Sequence, residues 1–135
     1  INYKFGIMVT TLWIIRGILV FIFLLSGASK LFQPKEKVIA TAGKWAEDYT
    51  QEQIKALGLG EIVLALLLII PKLFGHGYYL SPLAALGIAI VMIGAAYTHY
   101  KRKEYPLLIA NIMLMLLALF IAMLTLPIMQ HWDFA

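Results

Sequence analysis

The chain has 135 residues, of which 62% are hydrophobic and only 13% charged, and its mean hydropathy is +0.87. A soluble domain is about 45–50% apolar and about 25% charged, so the composition excludes an ordinary water-soluble globule and makes lipid the expected solvent. The absence of cysteine excludes disulfides, thiol catalysis, CxxC redox chemistry and cysteine-ligated zinc or iron–sulfur sites. The net charge of +4 comes from basic residues scattered between apolar runs, which is no nucleic-acid signal.

A helix that crosses a bilayer takes about 20 mostly apolar residues, and four such runs follow one another along the chain. The first predicted span, 6–32, is interrupted by Arg16 and Lys30. Next comes a polar connection in which Val38, Ala42, Trp45 and Tyr49 recur at the spacing of one helix face, with Lys35, Lys37, Lys44, Glu47 and Asp48 on much of the remainder. This pattern predicts an amphipathic helix over 35–49 and leaves two readings open. It lies at the membrane surface with Trp45 and Tyr49 at headgroup level, or it folds over the end of the bundle without touching lipid.

The second span, 51–71, opens on Thr50 and Gln53 at capping-box spacing, contains Glu61, and is expected to end at Pro71. Gly75-His76-Gly77 reads as a flexible turn. Ser81 followed by Pro82 reads as N-cap and first helical residue of the third span, 82–100. A tight basic hairpin, Lys101 to Tyr105, leads to the fourth span, 106–127, with Pro106 in its first turn and Pro127 loosening its end. Segments such as IVLALLLII lack the polar outer face that a soluble helix keeps. The expected fold is therefore all-α: a single domain built as a four-transmembrane-helix bundle with an interfacial helix between spans one and two. No cleavable signal peptide is expected, since the first run is too long, and the start at Ile1 rather than Met suggests that a few residues precede it.

Basic residues outside the core set the orientation. Lys30, Lys35, Lys37, Lys44, Lys55, Lys101, Arg102 and Lys103 gather at one end, against Lys4 and Lys72 at the other. The positive-inside rule places the first group in the cytoplasm and both termini outside.

Charges at membrane depth are costly and invite a functional reading. With a rise of about 1.5 Å per residue, Ser26, Glu61 and Asn111 fall roughly 9–10 Å inside the basic boundary, and Lys30 and His99 about 3–5 Å inside. Four helices thus aim polar groups into one leaflet. Glu61 must find a cation or take up a proton, and Lys30 and Arg16 are its candidate partners. Two readings of the cluster Glu61, Lys30, Arg16, Ser26, His99 and Asn111 stand side by side. One is a structural ion pair that holds two helices in register. The other is a polar cavity for a quinone headgroup, an acid or a proton, with His99 bonding a ligand or passing a proton.

A haem or metal site is poorly supplied, because His76 and His131 lie at the opposite end from His99 and no two histidines share helical ligand spacing. The methionines, Met113, Met115 and Met123 among them, read as packing or lipid-facing residues. Gly27, Gly58, Gly60, Gly87 and Gly94 offer sites of close helix approach.

Arg16 with Ser26-Gly27-Ala28-Ser29-Lys30-Leu31, Gly58-Leu59-Gly60-Glu61, Ala95-Ala96-Tyr97-Thr98-His99, Pro106-Leu107-Leu108 and Asn111 together resemble the DoxX-like family of small four-helix membrane proteins. The resemblance implies a protein of the bacterial inner (cytoplasmic) membrane, loosely associated with redox complexes such as thiosulfate:quinone oxidoreductase and terminal oxidases. Relatives that handle thiols would use cysteines, which this chain lacks. The expected role is a non-catalytic accessory subunit of a larger respiratory or quinone-linked assembly, in contact with lipid and other membrane subunits. On that reading no cofactor is held by this chain alone. The alternatives are a quinone-binding subunit of an oxidoreductase, with electrons supplied by a partner, and a proton or small-acid pathway through Glu61. The pathway has few polar residues beyond Arg16, chiefly Thr10, Thr11 and Thr125.

Overall fold

The computed structural model describes residues 3–77 and 79–126. Among these all regular structure is helical: α1 (Tyr3–Phe32), α2 (Lys35–Ala42), a short 3₁₀ segment (Lys44–Asp48), α3 (Gln51–Phe74), α4 (Leu80–Lys101) and α5 (Tyr105–Thr125). The four long helices are each long and apolar enough to cross a membrane. Helices are what such sequences must form there, because hydrocarbon offers backbone N–H and C=O groups no partner outside the segment. Only 17% to 39% of each apolar window is buried inside the protein, so most of its surface is left for lipid. Phe21, Ile90, Ile109 and Met113 stand more than half exposed on that surface.

Helix α1 packs chiefly on α3 and α4 on α5, and the two pairs join through α3 against α4, with a thinner seam between α1 and α5. The buried stripe of α1, comprising Leu12, Arg16, Leu19, Val20, Phe23, Gly27 and Lys30, recurs every three to four residues. It meets Ala65 and Leu68 of α3, Ala85 and Ile88 of α4, and Ala118 and Ile121 of α5 in one core.

Two glycines set the α1–α3 crossing. A Cβ on Gly27 would stand 2.6 Å from the Gly58 carbonyl oxygen, and one on Gly58 would stand 2.6 Å from that of Gly27. Gly87 is crowded by Leu64, whereas Gly60 and Gly94 have open space around them, so close approach explains only part of the glycine pattern.

The local signals are partly realised. The Thr50 side chain accepts from the Gln53 N–H and the Gln53 side chain returns the bond to Thr50 N–H, a complete capping box. Pro71 does not end α3. It sits in the last turn, and the helix runs on to Phe74, where Gly75 in the left-handed conformation closes it. Ser81 is not the cap of α4, which starts one residue earlier; its hydroxyl donates instead to the Leu68 carbonyl of α3, 2.7 Å away and buried. Pro106 stands in the first turn of α5 as expected, while Pro127 and His131 lie outside the described residues.

The connection between α1 and α3 is not one continuous helix. Gly43, at φ 129, divides it, because a Cβ there would press within 3.0 Å of the Trp45 ring. Val38, Trp45, Ala46 and Ile54 form a small second core with Tyr49 and Leu57 at its margin. The segment therefore turns its apolar face onto the bundle end, and Trp45, 8% exposed, is a roof residue rather than an outward-facing one.

Candidate functional site

Lys30 lies in the last turn of α1, four residues after Ser26 and so on the same face. The glycine crossing brings α3 close enough for Glu61 to meet it. Lys30 Nζ donates to Glu61 Oε1 at 2.7 Å and to Ser26 Oγ at 2.6 Å, and stands 5.4 Å from the centre of the Trp45 ring. Both partners are buried, Lys30 at 8% and Glu61 at 3% exposure. Removing two charges from water costs several kcal/mol per ion, which only good geometry and further hydrogen bonds offset. The pair has both, with one exception: Glu61 Oε2 is buried without a hydrogen-bond partner.

From α4, His99 reaches the same region. Its Nδ1 lies 3.2 Å from Glu104 Oε1, in the hairpin that follows. Its ring meets Trp45 edge-on at 6.5 Å. One residue earlier, the Thr98 hydroxyl donates to the Gly94 carbonyl and accepts from the Tyr49 hydroxyl, 3.1 Å away. Trp45 and Tyr49 pack edge to face. Asn111 of α5, half-buried, completes the ring of polar groups and makes no side-chain hydrogen bond among the described residues.

These groups surround a cavity of about 610 Å³ in the basic half of the bundle, its walls otherwise apolar. Ser26, Lys30, Glu61, His99 and Asn111 all line it, with Trp45 and Tyr49 as its roof. Small-molecule sites are typically about 300–1,000 Å³, mostly apolar with a few convergent polar groups, and this space has that character.

Arg16 is not in the cluster. It lies on the same stripe of α1 but about 21 Å along the axis from Lys30 at about 1.5 Å per residue, in a separate small recess shared with Trp13, Lys72 and Thr125. It is 1% exposed, its guanidinium stands 5.1 Å from the Trp13 ring centre, and its Nε and Nη2 have no hydrogen-bond partner among the described residues. Among the described residues Glu61 is paired by Lys30 alone.

Outside the membrane-spanning helices, Arg102 holds the 3₁₀ segment to the α4–α5 hairpin through a two-pronged contact, Nε and Nη2 to the Asp48 carboxylate at 2.8 and 2.9 Å. The hydrogen bonds from Arg102 keep Asp48 below the usual carboxylate range, and the same bonds push Arg102 up. The roof of the cavity is thus tied down by Asp48–Arg102 and by Tyr49–Thr98.

Three contributors were not read as site residues from sequence: Glu104, Thr98 and Gln53, the last of which also lines the cavity. Glu104 carried a usable signal as the one acidic residue in the hairpin Lys101-Arg102-Lys103-Glu104-Tyr105. Thr98 carried none, since its role depends on where Tyr49 lands. Among the described residues no group of three histidine, aspartate or glutamate side chains could hold a metal ion. The model of the DoxX-like family matches residues 14–121, a stretch that contains every residue of the cluster. No curated protein and no solved structure matches the chain.

Proposed function

The chain belongs to the DoxX-like family of membrane proteins, and from that premise we propose that it binds a lipid-phase molecule with a small polar ring as its head, a quinone or its reduced form being the best fit. The observation that carries this reading is the cavity of about 610 Å³, lined mostly by apolar side chains together with Lys30, Glu61, His99 and Asn111. A purely structural ion pair would need neither that volume nor an amide and an imidazole facing the same space. On this reading the protein is an accessory, ligand-holding subunit of an inner membrane, beside a partner that moves the electrons. The distribution of lysine and arginine supports a cytoplasmic location for the cavity end, with α2 and the 3₁₀ segment at the headgroup level of that face.

The test is direct. Protein purified gently from its native membrane is extracted for bound lipid-phase molecules, and its melting temperature is measured with decyl-benzoquinone and, under anaerobic conditions, with the corresponding quinol. Stabilisation that grows with probe concentration is expected; no co-purifying molecule and no shift with either probe would overturn the reading. The cysteine-free sequence also makes orientation accessible, since Lys103→Cys should be labelled only from the cytoplasmic side and His76→Cys only from the other.

A further inference from the structure

We infer that the roof over the cavity is a door, fixed on the α1–α3 side and latched to α4 and its hairpin by Arg102. That a ligand passes through it rests on the lipid-phase ligand reading above. The two sides of the roof are attached in different ways. Towards α3 the attachment is apolar: Val38, Trp45, Ala46 and Ile54 form its core, with Ile39, Ala42, Tyr49 and Leu57 packed against them. The Gln51 side chain, in the first turn of α3, accepts from the Lys35 N–H at 2.6 Å, and Lys30 of α1 stands 5.4 Å from the centre of the Trp45 ring.

Towards α4 the attachment is polar. No member of the small core comes from α4 or α5. Among the described residues the roof meets them through the Tyr49 hydroxyl on Thr98, the Trp45 ring edge-on to His99, and the Asp48 carboxylate on Arg102, with Glu47 3.6 Å from the same guanidinium. A Cβ on Gly43 would stand 3.6 Å from the Glu104 carboxylate, again a polar neighbour.

These attachments differ in strength. Undoing apolar packing costs free energy in proportion to the area exposed, whereas an exposed ion pair is worth little and is screened by salt. The Asp48 and Glu47 side chains are half or more exposed, so the α4 side yields first. The cavity lies under that seam. Ala42, Trp45 and Tyr49 line it from the roof, and Thr98 and His99 line it from α4. Parting Tyr49 from Thr98 and Trp45 from His99 therefore opens the cavity between them, while the small core keeps the roof on α3.

Because the chain has no cysteine, one introduced thiol can read the opening. Asn111→Cys places it on the cavity wall, and Ala118→Cys places it in the main core as a control for general loosening. Each is reacted in micelles with iodoacetamide, which is neutral and so indifferent to the charge removed at the latch. Arg102→Gln should speed labelling at position 111 by about threefold or more and leave position 118 unchanged. Adding Tyr49→Phe, which keeps the ring and loses the bond to Thr98, should speed it further. Molar salt should speed labelling when Arg102 is present and not in Arg102→Gln. In otherwise wild-type protein, Arg102→Gln should release decyl-benzoquinone faster by a similar factor with Kd changed less than about twofold, since a door alters entry and exit together. Labelling at position 111 indifferent to Arg102 and to salt, or speeded equally at position 118, would overturn the door and leave ligand binding intact. Faster labelling with unchanged quinone release would overturn the door as the ligand's route. No quinone binding at all would overturn the ligand reading and leave the door standing on the labelling.

Discussion

Lys30 and Arg16 occupy the same buried stripe of α1 and would be equally costly in hydrocarbon, yet the two ends of the bundle treat them differently. At the cavity end Lys30 has a carboxylate, a hydroxyl and an indole ring. At the far end Arg16 has the Trp13 ring and two nitrogens without hydrogen-bond partners among the described residues, with a second cation, Lys72, in the same recess. The difference comes from what the neighbouring helix brings to each level. Around Gly27 and Gly58 the backbones of α1 and α3 touch, and the Lys30 side chain, reaching back along α1 towards Ser26, meets Glu61 on α3. Among the described residues α3 brings a lysine, Lys72, and no carboxylate to the recess of Arg16. A buried cation is completed by its neighbour, not by its own position.

The largest effect that would sharpen this contrast is expected at the paired cation. Lys30→Met leaves Glu61 buried with no cation and should cost about 3–5 kcal/mol of stability, read as a fall in melting temperature in detergent. Lys30→Met combined with Glu61→Leu should recover most of it; a double variant as unstable as the single one would mean that the pair is not the source of the loss.

The crossing itself comes second. Gly27→Ala forces a methyl group against the Gly58 carbonyl and should destabilise by about 1–3 kcal/mol, while Gly60→Ala, which has open space around it, should be close to neutral. Equal effects at the two positions would break the link between the glycine contact and the ion pair. Arg16→Met should cost less than Lys30→Met, within about 1 kcal/mol of wild type, since replacing a poorly partnered buried charge by an apolar chain is often neutral. A loss as large as that at Lys30 would erase the difference between the two ends.

The smallest effect lies at the roof. Asp48 is held below its ordinary value in the folded state, so its pairing with Arg102 stabilises above the unfolded carboxylate pKa of about 3.9 and is lost as pH falls through the folded value. Asp48→Asn should lower the melting temperature slightly at neutral pH, and by less as the pH falls below the unfolded value. The contact is exposed, and added salt should weaken it.

Much of this was legible in the residues. Hydrocarbon forces long apolar runs into helices, and so the four spans and their polar interruptions could be read directly. The capping box at Thr50 and Gln53 depends on neighbours three residues apart and was equally plain. Ser81 and Pro71 misled for one reason: both obey local rules that tertiary contacts or the surrounding helix override. Ser81 found a carbonyl on α3, and Pro71 was accommodated in a last turn that Gly75 could close. Trp45 was legible as apolar, with the membrane surface and the end of the bundle both left open, and its packing in the small second core turns it onto the bundle end.

By itself, then, the sequence determined the solvent, the number of candidate spans and the place of each polar residue along its helix, because hydropathy and helical rise are properties of a single helix. Only the tertiary structure decided which charges meet. It set Lys30 rather than Arg16 against Glu61, turned His99 towards Glu104, and left a cavity between the helices, because those outcomes depend on how closely two backbones approach and at what level they cross.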